Sequence, residues 1–136
     1  MKKIITILLV LTALAILAGC SSAEDETTAP EEKAGYQQIS QAEAKQLMDS
    51  ETGYIILDVR TDEEFAEGHI PGAVLIPDYE VAERAEAELP DKGQLILVYC
   101  RSGNRSKKAS EVLTELGYTN VKEFGGINTW PYDIEK

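Results

Sequence analysis

One stretch of this chain gathers residue types that can do chemistry: Cys100-Arg101-Ser102-Gly103-Asn104-Arg105-Ser106. It follows the apolar run Gln94-Leu95-Ile96-Leu97-Val98-Tyr99 and precedes a segment with helical periodicity. A strand, a short glycine-containing loop and a helix N-terminus make an anion cradle. N–H groups of a tight turn converge, and the helix dipole adds partial positive charge. An unperturbed thiol has a pKa of about 8.5 and is only a few per cent ionised near neutrality; converging N–H groups and guanidinium groups lower it. Arg101, Arg105, Lys107 and Lys108 place four cations within eight residues, on a chain whose net charge is −11. Cys100 therefore reads as a nucleophile that needs no separate general base, in a site that attracts an anionic substrate.

The rest of the composition narrows the chemistry further. With 24 Asp+Glu against 13 Lys+Arg in 136 residues, the chain gains nothing from counterion release, so no nucleic-acid partner is expected. Two cysteines and one histidine are too few soft ligands for a zinc or iron–sulfur centre, and no cofactor or metal is expected. His69 lies in the turn-rich Gly68-His69-Ile70-Pro71-Gly72 and reads as a structural hydrogen-bonding residue. Asp62, Glu63, Glu64 and Glu67 read as a solvated helix face with acids favourably near its N-terminus. Phe124, Trp130 and Tyr132 are expected to pack against the sheet.

The elements that must position Cys100 are legible from periodicity. Residues 54–59 and 94–99 are near-continuous apolar runs, as in strands covered on both faces; 73–76 and 121–124 are shorter strand candidates. Ser40-x-x-Glu43 and Thr61-x-x-Glu64 have the pattern of capping boxes. Val81, Ala85 and Leu89 form one helical stripe. Ala109, Val112, Leu113 and Leu116 form a stronger one that stops at Gly117, and that helix is expected to begin after Ser106. Alternating strands and helices predict an α/β domain with a mainly parallel sheet, in which ligands bind beyond the carboxyl ends of the strands.

The N-terminus reads as an address. Lys2 and Lys3 precede an uncharged apolar run from Ile4 to Ala18, the length of a secretory h-region and short for a spanning helix. The run ends in Leu17-Ala18-Gly19-Cys20, which resembles a bacterial lipobox. That resemblance implies a lipid on Cys20 as the mature N-terminus and a membrane lipoprotein on the extracytoplasmic face. Residues 1–19 are thus expected to be a lipoprotein signal peptide, 20–35 the lipidated Cys and a flexible acidic linker, and 36–136 the folded domain. A lipidated Cys20 leaves Cys100 without an intramolecular partner.

The stretch Cys100-Arg-Ser-Gly-Asn-Arg105 resembles the active-site loop of single-domain rhodaneses, a sulfurtransferase family. Asp58-Val59-Arg60 followed by Glu64-Phe65 and by Gly68-His69-Ile70-Pro71-Gly72-Ala73 is similar to the family's upstream signature. Gly125-Gly126-Ile127 with Trp130 is similar to its closing segment. The resemblance implies a central five-stranded, mainly parallel sheet with helices on both faces. It also implies a cysteine that takes a sulfane sulfur from thiosulfate, a polysulfide or a persulfide, and passes it to a thiol or cyanide; a protein acceptor also fits. In that reading Cys100 carries the persulfide, backbone N–H groups from Arg101 to Arg105 hold it, Arg105 braces the loop and Arg101 faces the incoming anion. Asp58 and Arg60 end the neighbouring strand and are assigned to the wall of the substrate pocket, either as substrate contacts or as an Asp–Arg pair that orders the loop. Four residues separate Cys100 from Arg105, where related phosphatases and arsenate reductases have five, and a terminal sulfur needs less room than a phosphate.

Overall fold

The computed structural model describes residues 35–136. The expected signal peptide, the lipid-bearing Cys20 and the linker up to residue 34 lie outside the described residues.

Two short capping motifs start the first helices. Ser40 accepts from the Glu43 N–H while the Glu43 carboxylate accepts from the Ser40 N–H, which begins α1 (Gln41–Ser50). Thr61 and Glu64 make the same reciprocal pair at α2 (Asp62–Glu67). Each pair satisfies two N–H groups that a helix start leaves without partners. The remaining helices are α3 (Val81–Glu88) and α4 (Asn104–Glu115). The strands are β1 (Gln37–Gln38), β2 (Ile55–Asp58), β3 (Val74–Leu75), β4 (Ile96–Cys100) and β5 (Val121–Gly126). They form one sheet in the order β1-β5-β4-β2-β3 with every pair parallel. The expected α/β architecture is observed.

Alternation along β4 sorts the core into two layers. Ile96, Val98 and Cys100 join Leu57 and Val59 of the neighbouring chain segment under α3 and α4, against Val81, Ala85, Ala109 and Leu113. Leu97 and Tyr99 face the other way, with Ile56 and Phe124, toward Ala44, Leu47 and Met48 of α1. Cys100 thus ends the central buried strand on the face that carries α4. This is the carboxyl edge at which parallel sheets place their ligands.

Two expectations need correcting. Helix α4 starts at Asn104, not after Ser106, so Arg105 and Ser106 belong to its first turn. Of the three aromatic residues expected to pack against the sheet, Phe124 is buried and Trp130 is half-buried against the same cluster, but Tyr132 is exposed, set edge-on against the Trp130 ring. β5 ends at Gly126, so Trp130 and Tyr132 lie beyond the strand. Among the described residues no helix is long and apolar enough to cross a membrane.

Candidate active site

The loop after β4 turns on Gly103, whose φ of +101° is a left-handed conformation that L side chains adopt only under strain. That turn aims the Gly103 N–H at Cys100 Sγ, 3.0 Å away. The Ser106 hydroxyl lies 3.4 Å from it, and the N–H groups of Ser102 and Ser106, on the same turn, favour its anion. Cys100 is 1% exposed. Burial pushes its thiol pKa up, but the hydrogen bonds of Ser106, Gly103 and Ser102 outweigh it, and the net shift is downward. Of the loop N–H groups from Arg101 to Arg105 that were expected to surround the sulfur, that of Gly103 points at it.

The walls of this cradle are held from three sides. Arg105 makes a two-pronged ion pair with Glu64 of α2, at 2.7 and 2.9 Å. Glu64 therefore ties α2 to the first turn of α4 and is no part of a freely solvated face, as the acid-rich spacing alone implied. The Arg105 hydrogen bonds are the largest influence on its carboxyl. With the Thr61 cap they outweigh desolvation and hold its pKa at about 2. On the second side Gly126 of β5 pairs with Cys100 across a register irregularity in the β4–β5 ladder. A Cβ on Gly126 would stand 2.1 Å from the Arg101 carbonyl oxygen, so only glycine admits the loop this close. On the third, Asn128 donates its N–H to that same carbonyl at 3.2 Å.

The other expected site residues divide. Arg101, Ser102 and Asn104 are exposed at the mouth of the loop, and the Arg101 side chain makes no hydrogen bond or ion pair among the described residues. Asp58 and Arg60 do not join the cradle, which corrects their assignment as substrate contacts; the alternative Asp–Arg pair is present, but it holds the Gly68–Ile70 turn and not the Cys100 loop. Asp58 is fully buried and pairs along β2–β4 with Tyr99, on the sheet face away from Cys100. Its carboxylate accepts from the Arg60 N–H, from the Arg60 guanidinium at 2.7 Å and from the Tyr99 hydroxyl at 2.6 Å. Arg60 also donates to the Gly68 carbonyl, and Tyr99 accepts from the Ile70 N–H. The pair is a buried clamp that fixes the Gly68–Ile70 turn. Burial is the largest influence on the Tyr99 hydroxyl pKa and, with Asp58, pushes it far up.

His69 fills a structural place, as its turn-rich surroundings implied. Its Nδ1 donates to the Phe65 carbonyl at 3.0 Å, its ring stacks on Phe65, and its backbone pairs with Glu135. Residues that sequence reasoning passed over are Ser106, Glu64, Gly126 and Glu123. Glu123 is buried at 3% exposure, and Ser106 donates to it at 2.6 Å. The spacing of Thr61-x-x-Glu64 already marked Glu64 as a cap, but nothing local indicated its second partner. No group of three or more His, Cys, Asp or Glu among the described residues has the arrangement of a metal site.

A thiol held by amide dipoles at a helix N-terminus, on the carboxyl edge of a parallel sheet, defines a cysteine-loop enzyme of nucleophilic type. The rhodanese-like domain model matches residues 40–131. Thiosulfate sulfurtransferase PspE of Escherichia coli is 44% identical over 71 residues, which cover 52% of this chain and 68% of that protein. The putative sulfur carrier protein YrkF of Bacillus subtilis is 38% identical over 113 residues, covering 82% of this chain and 56% of that protein. Several further relatives are longer, and the chain spans about a quarter of their length or less. Among solved structures, a rhodanese with anions from E. coli superposes with a TM-score of 0.58 at 38% identity, covering 61% of this chain and 98% of that one. The chain belongs to the rhodanese-like domain family. It is a rhodanese-type sulfurtransferase.

Proposed function

We propose that Cys100 takes the outer sulfur of thiosulfate, a polysulfide or a persulfide and passes it to a thiol or cyanide, with the domain tethered by a lipid on Cys20 outside the cytoplasm. With thiosulfate, the Cys100 thiolate attacks the sulfane sulfur and forms an S–S bond. The bond to the sulfonate sulfur breaks, and sulfite leaves with its electron pair. The product is a Cys100 persulfide anion. An acceptor thiolate or cyanide then attacks the terminal sulfur, and the Cys100 thiolate departs with the bonding pair. Charge balances at each step, and no cofactor is consumed.

The observation that carries this reading is the Gly103 N–H at 3.0 Å from Sγ, with the Ser106 hydroxyl at 3.4 Å. The same donors that favour the thiolate favour a persulfide anion, because both place negative charge on sulfur within their reach. The name of PspE supports thiosulfate as a donor. The apolar run ending in Cys20 supports the tether.

Intact-protein mass spectrometry tests the chemistry. Incubation with thiosulfate or a polysulfide should add the mass of one sulfur atom to the wild type and none to Cys100→Ala. A folded wild type with a free thiol that gains no sulfur from any donor refutes it. For the tether, wild-type and Cys20→Ala proteins expressed in a bacterium should partition to membrane and to soluble fractions respectively; equal partition refutes that part.

The relation to YrkF favours a second reading, a sulfur carrier that discharges to a protein partner. In that case the persulfide forms but turns over only when a protein acceptor is supplied. Steady turnover with cyanide or a small thiol excludes it.

A further inference from the structure

Ser106 has one hydroxyl proton and four acceptors around it. Its Oγ lies 2.6 Å from Glu123 Oε1, 3.0 Å from the Gly103 carbonyl, 3.5 Å from the Gly125 carbonyl and 3.4 Å from Cys100 Sγ. One proton serves one acceptor well. Glu123 makes the shortest contact, as a charged acceptor should. With Cys100 as a thiol the arrangement is closed: Sγ–H donates to Ser106 Oγ, and Ser106 O–H donates to Glu123. Once the sulfur is an anion its own proton is gone, and the sulfur competes with Glu123 for the Ser106 proton.

Glu123 is the buried charge for which the sulfur-transfer scheme has no use. It is 3% exposed, and among the described residues it makes no ion pair and has, apart from Ser106, only the Gly125 N–H as a donor, at 2.8 Å. The β4–β5 register pairs it with Val98, which sets both side chains on the face that carries Cys100 and α4. The charged or titratable groups facing it are Cys100 of β4, through Ser106, and Lys107 of α4, which lines the same open depression beside the loop. From β1 and α1 the neutral Gln38 and Gln41 line the same depression.

We propose that Glu123 is a positioning residue that limits how tightly the site holds a sulfur anion. Its carboxylate keeps the Ser106 proton off Sγ and repels negative charge on that sulfur, so that the Cys100 thiolate stays reactive toward a sulfur donor. The proposal rests on the sulfur-transfer reading of Cys100. No electron pair moves in it: one hydroxyl proton turns between two acceptors, and the thiol proton leaves to solvent. Two contacts end to end put the carboxylate at most about 6 Å from Sγ. At an effective dielectric of about 20, that repulsion is worth roughly a hundredfold in thiol ionisation.

The test reads the thiol first, independently of sulfur chemistry. The pH dependence of alkylation by iodoacetamide should place the thiol pKa of Glu123→Gln about two pH units below wild type. Glu123→Asp, which keeps the charge, should return it toward wild type. In a Ser106→Ala background the shift caused by Glu123→Gln should shrink, because the contested proton is absent. An unchanged or raised pKa in Glu123→Gln overturns the proposal, and an equal shift in both backgrounds overturns the role of Ser106. Single-turnover measurements follow. At a pH where both thiols are ionised, Glu123→Gln should capture sulfur from thiosulfate roughly three- to tenfold more slowly than wild type, yet discharge its persulfide to cyanide at least as fast. Equal slowing of both halves indicates a merely structural role and overturns the proposal. Infrared difference spectra of the wild type need no variant at position 123: the carboxylate band should shift when the thiol ionises, and an unmoved band overturns the proposal. Failure of the wild type to gain sulfur would sink the transfer reading alone, since the titration still decides the coupling.

Discussion

Gly126→Ala is the most demanding prediction, because the backbone itself permits it. Gly126 has φ −133° and ψ 150°, ordinary extended values open to any residue. The obstacle is space. The new Cβ would stand 2.1 Å from the Arg101 carbonyl oxygen, 2.4 Å from its carbon and 2.5 Å from the Ser102 nitrogen. Non-bonded atoms rest at about 3.5 Å, so the loop must retreat by more than about 1 Å. The atoms in the way are the backbone of the turn that carries Ser102 and Gly103, and no flexible side-chain end can yield instead. Such overpacking costs about 1–3 kcal/mol of stability. A hydrogen bond to a charged atom is worth about 1.5–3 kcal/mol, so losing one from Sγ raises the thiol pKa by about one to two units. A displacement of about 1 Å at a reacting group slows its reaction on the order of a hundredfold. The assay is threefold: iodoacetamide alkylation against pH, single-turnover sulfur capture from thiosulfate, and denaturant unfolding. Gly126→Ala should fold with reduced stability, a raised thiol pKa and much slower capture. Gly93→Ala is the control, since its Cβ would meet only Asp91 Oδ1 at an ordinary 3.5 Å. A stable Gly126→Ala protein whose thiol titrates like wild type would refute the argument that close approach of β5 shapes the cradle.

Three further outcomes are expected. Arg105→Ala should raise the thiol pKa modestly and slow sulfur capture about tenfold, because it frees the Glu64 carboxylate and unties α4 from α2; adding Glu64→Gln should recover part of the loss, and unchanged kinetics in the single variant would show that the brace does nothing. Asp58→Asn should cost about 3 kcal/mol in denaturant unfolding by leaving Arg60 buried without its countercharge, while the thiol titration stays as in wild type; a shifted titration would return Asp58 to the active site. Glu64 has a folded pKa of about 2, below the ordinary carboxylate value, so its contribution is present above that ordinary value and fades as pH falls toward 2. The stability difference between wild type and Glu64→Gln should therefore narrow from at most about 2 kcal/mol near neutrality to almost nothing at about pH 2, and a difference that persists in acid would contradict the ion pair.

The elements and the nucleophile were legible because their signals are local. A capping box spans four residues, a buried strand is a short apolar run, and Cys100 sits where one such run meets a glycine turn. Each of these is decided by neighbours within one or two helical turns, and the structure has them nearly where spacing puts them. The start of α4 was misjudged for a local reason: Arg105 and Ser106 look like loop residues, but the left-handed turn at Gly103 starts the helix at once.

What the chain order alone determined, then, is an alternating α/β fold with a cysteine at the end of a buried strand and cations around it. Tertiary structure alone decided what lies across from that cysteine. Asp58 and Arg60 are two residues apart and near the strand end, yet the pleat turns them to the opposite face, where Tyr99 occupies the carboxylate. Glu64, Gly126 and Glu123 reach the loop from 41, 25 and 17 residues away along the chain from Arg105, Arg101 and Ser106. Such contacts leave no periodic trace, because a side chain's partner across a sheet or between two helices is fixed by strand register and packing direction, which no short window of residues contains.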